Sequence, residues 1–137
     1  MADTLPLIVY GQEFGAVIAA QLSATENVKY TMLENPPYSW NEIMLKKYFW
    51  WLPHSYFSQF KFPVWKYLKQ TQSKLVLIHS TQAEFIPVEN SLRLLEFLKP
   101  GDEYIELDSK ITNQLSPEYQ KKMGDFLKTN KLYYVEE

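Results

Sequence analysis

Apolar and polar positions along this chain fall into short blocks whose period switches between that of strands and that of helices. Pro6 to Tyr10 (PLIVY) is a continuously apolar run of strand formers that stops at Gly11, the pattern of a strand buried on both faces. Gly15 to Ala24 is small and apolar and reads as a helix lying close on a sheet. Val28 to Leu33 reads as a second strand. Lys74 to His79 reads as a fully buried one, and Glu103 to Leu107 alternates as an edge strand does. Leu92, Leu95 and Leu98 recur at helical spacing within Val88 to Leu98, which Pro100 and Gly101 end. Ser39 and Glu42 form a capping-box pair for a helix from Trp40, and Pro63 to Gln70 carries proline in the first turn of a helix. Ser116 and Pro117 open a last helix with Tyr119, Met123, Phe126 and Leu127 on one face.

Four strands separated by helices imply crossover connections. The expected fold class is α/β: a parallel four-stranded sheet flanked by helices, in one domain spanning residues 1–137. An aromatic-rich crossover or cap segment covers about residues 36–70. In such sheets function gathers at the carboxyl ends of the strands. Here those ends are Gly11 to Phe14, Glu34 to Pro36, His79 to Phe85 and Asp108 to Thr112.

Composition removes several classes. The 137 residues, 46% of them hydrophobic, suffice for one core. A net charge of -2 shows no nucleic-acid footprint. The chain has no cysteine, which excludes disulfides, thiolate metal sites and a cysteine nucleophile. The first residues lack the pattern of a signal peptide, and no apolar run approaches the roughly 20 residues of a membrane span. The expectation is a cytoplasmic protein with no membrane span, no nucleic-acid partner, no metal and no cofactor.

Gly11-Gln12-Glu13-Phe14-Gly15 follows a strand and opens a helix. That is the setting of a G-x-S-x-G elbow, in which a sharp corner projects a nucleophile above the sheet. Its glycines are expected to avoid collisions with neighbouring strands. Further on, the segment from Leu77 to Ser91 carries His79, Ile86-Pro87 and Ser91 in the pattern h-I-H-G-x-x-D-x-x-I-P-x-x-x-S, and Leu107 to Leu115 follows the pattern G-x-G-H-N-x-L. In this order the three segments resemble the α/β hydrolases, most closely their peptidase- and esterase-like branch, from Pro6 to about Lys128.

The resemblance implies the C-terminal half of an α/β-hydrolase fold, beginning at the fifth of eight strands. It places Glu13 at the nucleophile position, Ala83 at the acid position and Thr112 at the histidine position. A hydroxyl nucleophile needs a base and an orienting acid, which these residues do not supply. The backbone N–H of Phe14 is the one oxyanion donor that the resemblance leaves in place. His79 takes a position where the family often carries a non-catalytic histidine.

Other chemistry is open to the same residues. The helix dipole favours a carboxylate at Glu13. Glu13 could pair with Lys110, hold a cation with Glu84, or join Glu84 and His79 around a metal. Glu13 and Glu84 could also flank a glycosidic bond. The binding candidates are therefore Glu13, Phe14, His79 and Glu84. The aromatic segment from Trp40 to Trp65 either covers the sheet or presents an apolar surface to a partner or ligand. The edge strand Pro6 to Tyr10 invites association. The expected partner is a second copy, the two first strands pairing antiparallel in a homodimer; the alternative is another protein that supplies the earlier strands. The leading reading is a catalytically inactive hydrolase-like protein that acts as an oligomeric binding or regulatory module. The alternative is a hydrolase-type enzyme with chemistry rebuilt around Glu13 or completed by a partner subunit.

Overall fold

The computed structural model describes residues 6–51, 53, 61–108 and 117–130. The elements run β1 (Ile8–Gln12), α1 (Phe14–Thr25), β2 (Tyr30–Glu34), α2 (Trp40–Lys47), α3 (Val64–Gln70), β3 (Lys74–Ser80), α4 (Glu89–Leu94), β4 (Glu103–Leu107) and α5 (Pro117–Thr129). A 3-10 turn at Leu95–Phe97 extends α4. The strands lie in the order β1-β2-β3-β4 and all pair parallel. Each parallel pair needs a crossover, and the intervening helices supply it.

The sheet separates two apolar layers. Alternate strand residues face opposite ways, so Leu33, Leu75 and Leu77 pack with Ala16, Ala20, Val64, Leu68 and Leu94 from α1, α3 and α4. Met32, Val76, Ile78 and Leu107 point to the other side and meet Tyr119 and Phe126 of α5. β3 is buried almost throughout, as its unbroken apolar run requires. Each fully buried leucine there contributes about 1.5–3 kcal/mol relative to exposure. Among the described residues, no helix is long and apolar enough to cross a membrane.

Four local expectations are corrected. The first strand does not stop at Gly11: Gly11 and Gln12 continue the ladder opposite Leu33 and Glu34. Nor is it buried on both faces, since Ile8 and Tyr10 are each 39% exposed. An apolar run reports strand propensity, whereas burial depends on neighbours, and among the described residues β1 has only β2 beside it in the sheet. The Ser39 capping box is not made either. Ser39 does precede α2, but its hydroxyl donates to the Lys61 carbonyl at 2.9 Å, because a bridge between Ser39 and Pro63 brings the two segments together. Pro63 in turn sits at the N-cap of α3, just before its first turn. Ser116 lies outside the described residues.

Candidate functional site

The carboxyl ends of the strands are levelled by hydrogen bonds that run one strand across. The Glu13 N–H donates to the Glu34 carbonyl at 2.9 Å, Asn35 N–H to Ile78 at 2.8 Å and Thr81 N–H to Leu107 at 2.9 Å. Asn35 adopts a positive φ of 45° and accepts from the Ser80 N–H at 3.0 Å, which locks the ends of β2 and β3 together. The loops after β1, β2 and β3 therefore open along one edge of the sheet, and residues 109–116 after β4 lie outside the described residues.

The first loop is a strained corner. Glu13 has φ 52° and ψ -114°, a combination that L residues rarely adopt and that costs about 1–3 kcal/mol. The turn closes tightly over Gly11: a Cβ there would lie 2.2 Å from the Gly15 carbonyl oxygen and 2.8 Å from the Ala16 Cα. The collision is with the start of α1 rather than with neighbouring strands. A Cβ on Gly15 would meet nothing within 4 Å, so only the first glycine of the pair is sterically required. Phe14 begins α1, and the first N–H groups of a helix have no partner within it.

Phe14 also carries the aromatic roof. Its ring lies 4.8 Å from Trp40 and 6.1 Å from Phe62, and Trp40 in turn lies 5.9 Å from Phe85. This chain of rings spans the carboxyl edge from the elbow to the loop after β3. Lys47 places its ammonium 4.2 Å from the centre of the Phe85 ring.

The loop after β3 holds Ala83, whose N–H donates to the Ser80 carbonyl at 3.1 Å, and the exposed Glu84. β2 lies between β1 and β3, so the elbow and this loop are separated by two strand spacings, about 10 Å. Thr112 and Lys110 lie outside the described residues. Among the described residues, no group of three or more His, Asp or Glu could hold a metal ion, the combination of Glu13, Glu84 and His79 included.

His79 is wholly buried. Its Nε2 lies 2.8 Å from the Ile86 carbonyl and its Nδ1 lies 2.7 Å from Ser91 Oγ. A carbonyl only accepts, so Nε2 carries the proton and Nδ1 accepts from the Ser91 hydroxyl. Burial holds the His79 pKa below its ordinary value and keeps the ring neutral. The I-H…I-P…S pattern in the sequence is thus a structural clamp, tying β3 to its following loop and to α4. Ser91 is also fully buried, which keeps this serine–histidine pair away from any substrate.

Sequence reasoning missed Glu34. It ends β2 with no exposure, and it accepts from the Tyr10 hydroxyl and, at 3.3 Å, from Gln12 Nε2. Burial foremost, followed by the nearby Glu34 and Tyr10, pushes the Tyr119 phenol above its ordinary pKa. The cluster ties edge strand β1 and helix α5 to the centre of the sheet. Its signal was a carboxylate at a strand end flanked by an apolar run, a position that sequence alone gives no partner.

No family model matches the sequence, and no curated protein matches it. Solved structures do. An acylaminoacyl peptidase of Pyrococcus horikoshii superposes with a TM-score of 0.71 at 20% identity, over 99% of this chain and 26% of that one. An esterase of Pyrococcus furiosus gives 0.67 at 24% identity, over 89% and 52%. The esterase domain of a Rhodothermus marinus protein gives 0.66 at 12%, over 90% and 61%. The fold is that of the α/β hydrolases. The chain spans about half the length of the Pyrococcus furiosus esterase and about a quarter of the peptidase. The resemblance expected from the motifs holds at the level of the fold.

Proposed function

We propose that this chain is a catalytically inactive hydrolase-fold protein that works as a binding or regulatory module and self-associates through β1. The observation that carries the proposal is Glu13: a carboxylate occupies the apex of an elbow whose strained backbone is otherwise intact. An acyl-transfer nucleophile must attack a carbonyl with a base beside it. Glu13 brings no hydroxyl, and the acid position holds the methyl of Ala83, which can orient no base. The strain at Glu13 also favours a second reading, an enzyme with chemistry rebuilt around that carboxylate, since such strain persists mainly at functional sites.

Installing the hydroxyl tests the first reading. Glu13→Ser is expected to show no hydrolysis of p-nitrophenyl acetate above buffer, because the acid position still holds Ala83. A serine-dependent rate would mean that the remaining machinery is in place.

Self-association is supported by the edge. Leu7, Ile8 and Tyr10 are 39–48% exposed, and Phe14, Ile18 and Leu22 form a stripe at i, i+4 and i+8 on α1, 39–56% exposed. Neither β1 nor α1 contains a charged residue, so two copies meet there without repulsion. With side chains of about 200 Å² each, these six offer roughly 500 Å² of apolar surface per copy. Across a twofold axis that is about 1,000 Å², the lower limit for a specific interface. Light scattering at micromolar concentration is expected to give twice the 16.2 kDa chain mass, and Ile18→Asp to give the monomer. A monomeric wild type would remove the self-association from the reading.

A further inference from the structure

The middle of the chain has a charge distribution that its overall balance hides. Between Glu42 and Glu84 there is no Asp or Glu, yet this stretch contains Lys46, Lys47, Lys61, Lys66, Lys69 and Lys74. The first five are exposed. The elements that carry them leave from one place, where Ser39 bridges Pro63 and the Trp40 N–H bonds to the Phe62 carbonyl. A protein of net charge -2 thus carries one stretch of sequence whose only charges are basic.

The same region presents its largest apolar side chains to solvent. Directly after α2 and its Lys46 and Lys47, Trp50 is 80% exposed, Trp51 65% and Tyr48 50%. Trp is normally among the more buried residues, so two adjacent indoles in solvent call for a partner. The rings that roof the sheet show the contrast with the two indoles: Phe14 packs on Trp40, and Trp40 and Tyr48 both pack on Phe85. A second copy does not fit this surface, because Lys46 and Lys47 outweigh the one carboxylate of α2, Glu42, which Arg93 already pairs at 2.8 Å. The occupant must be anionic and must accept an indole with its apolar body submerged and its N–H at a polar boundary.

We propose that the tip formed by Tyr48, Trp50 and Trp51, with Lys46 and Lys47 behind it, docks on an anionic lipid bilayer surface. Indoles insert at the headgroup level, where their apolar rings leave water and their N–H groups keep polar partners. Lysine stems extend along the apolar surface and hold their ammonium groups against lipid phosphates. The contact is peripheral. It holds whether or not the chain has catalytic activity.

The test is sedimentation of the full chain with vesicles of phosphatidylcholine alone and of phosphatidylcholine with 30% phosphatidylserine, read with indole fluorescence. The expected result is binding to the mixed vesicles with emission shifted to shorter wavelength. Binding is expected to weaken at least about tenfold in the Trp50→Ala/Trp51→Ala double variant. It should weaken by about fivefold for each of Lys46 and Lys47 changed to Gln. Trp50, Trp51 and Lys46 are exposed, so circular dichroism and melting of those variants should match the wild type, whereas Lys47→Gln also removes an ammonium 4.2 Å from the Phe85 ring and is read beside its melting curve. Failure to bind the mixed vesicles, equal binding to phosphatidylcholine alone, or binding unchanged by the tryptophan substitutions overturns the proposal. So does capture by a single-stranded oligonucleotide at concentrations where vesicles do not bind, which would assign the surface to nucleic acid.

Discussion

Gly11→Ala is expected to destabilise the fold by about 3 kcal/mol or more. The added Cβ would lie 2.2 Å from the Gly15 oxygen, 2.5 Å from its carbonyl carbon and 2.8 Å from the Ala16 Cα. All three are backbone atoms of α1, so no rotamer change relieves the contact. Either α1 moves off the sheet or the elbow opens. α1 cannot move cheaply, because Ala16, Val17 and Ala20 are almost wholly buried against the layer that Leu33 and Leu77 build. Overpacking of this kind costs 1–3 kcal/mol where side chains can yield, and more where only backbone can. The melting temperature should fall by roughly 10 °C. Gly15→Ala is the matched control. Its Cβ meets nothing, and alanine stabilises a helix relative to glycine by about 0.5–1 kcal/mol. A paired thermal melt checks both signs. Equal destabilisation by the two variants would show that the corner is not closed as described.

His79→Leu is expected to cost about 2–4 kcal/mol and to remove a pH dependence. Leucine restores the volume but leaves the Ile86 carbonyl and the buried Ser91 hydroxyl without their ring partner. The pH effect follows from burial, which lowers the folded pKa beneath the unfolded value near 6.5. Below that value the unfolded chain takes up a proton that the folded chain refuses. The contribution of His79 is thus fully present above about pH 6.5 and is lost as pH falls towards the folded pKa, by up to about 1.4 kcal/mol per unit. Urea titrations of wild type and variant between pH 7 and pH 5 should show this component in the wild type alone. A parallel pH dependence in both would mean that the imidazole is not neutral in its clamp.

Much of the fold was legible because the residues that decide it act locally. The apolar run of β3 and the alternation of β4 announced themselves, and the spacing of Tyr119 and Phe126 gave the buried face of α5. The elbow was legible for the same reason: a glycine at the close approach and a residue able to sit at a helix start are both sequence features. What the sequence could not show was who meets whom across the sheet. Ser39 reads as a cap until the bridge to Pro63 offers its hydroxyl a carbonyl instead. Glu34 reads as one more strand-end acid until register places Tyr10 and Gln12 against it. His79 looked available for binding, and its two partners, seven and twelve residues further on, show a clamp. Exposure of the β1 residues likewise depends on which element lies beside them, a long-range fact.

The most direct test of the central claim is turnover of a panel of aryl esters by the purified wild-type chain, measured beside Glu13→Ala. A scaffold whose elbow carries a carboxylate should give rates equal to buffer in both proteins. Hydrolysis by the wild type that disappears in Glu13→Ala would contradict the account and make this corner an active site.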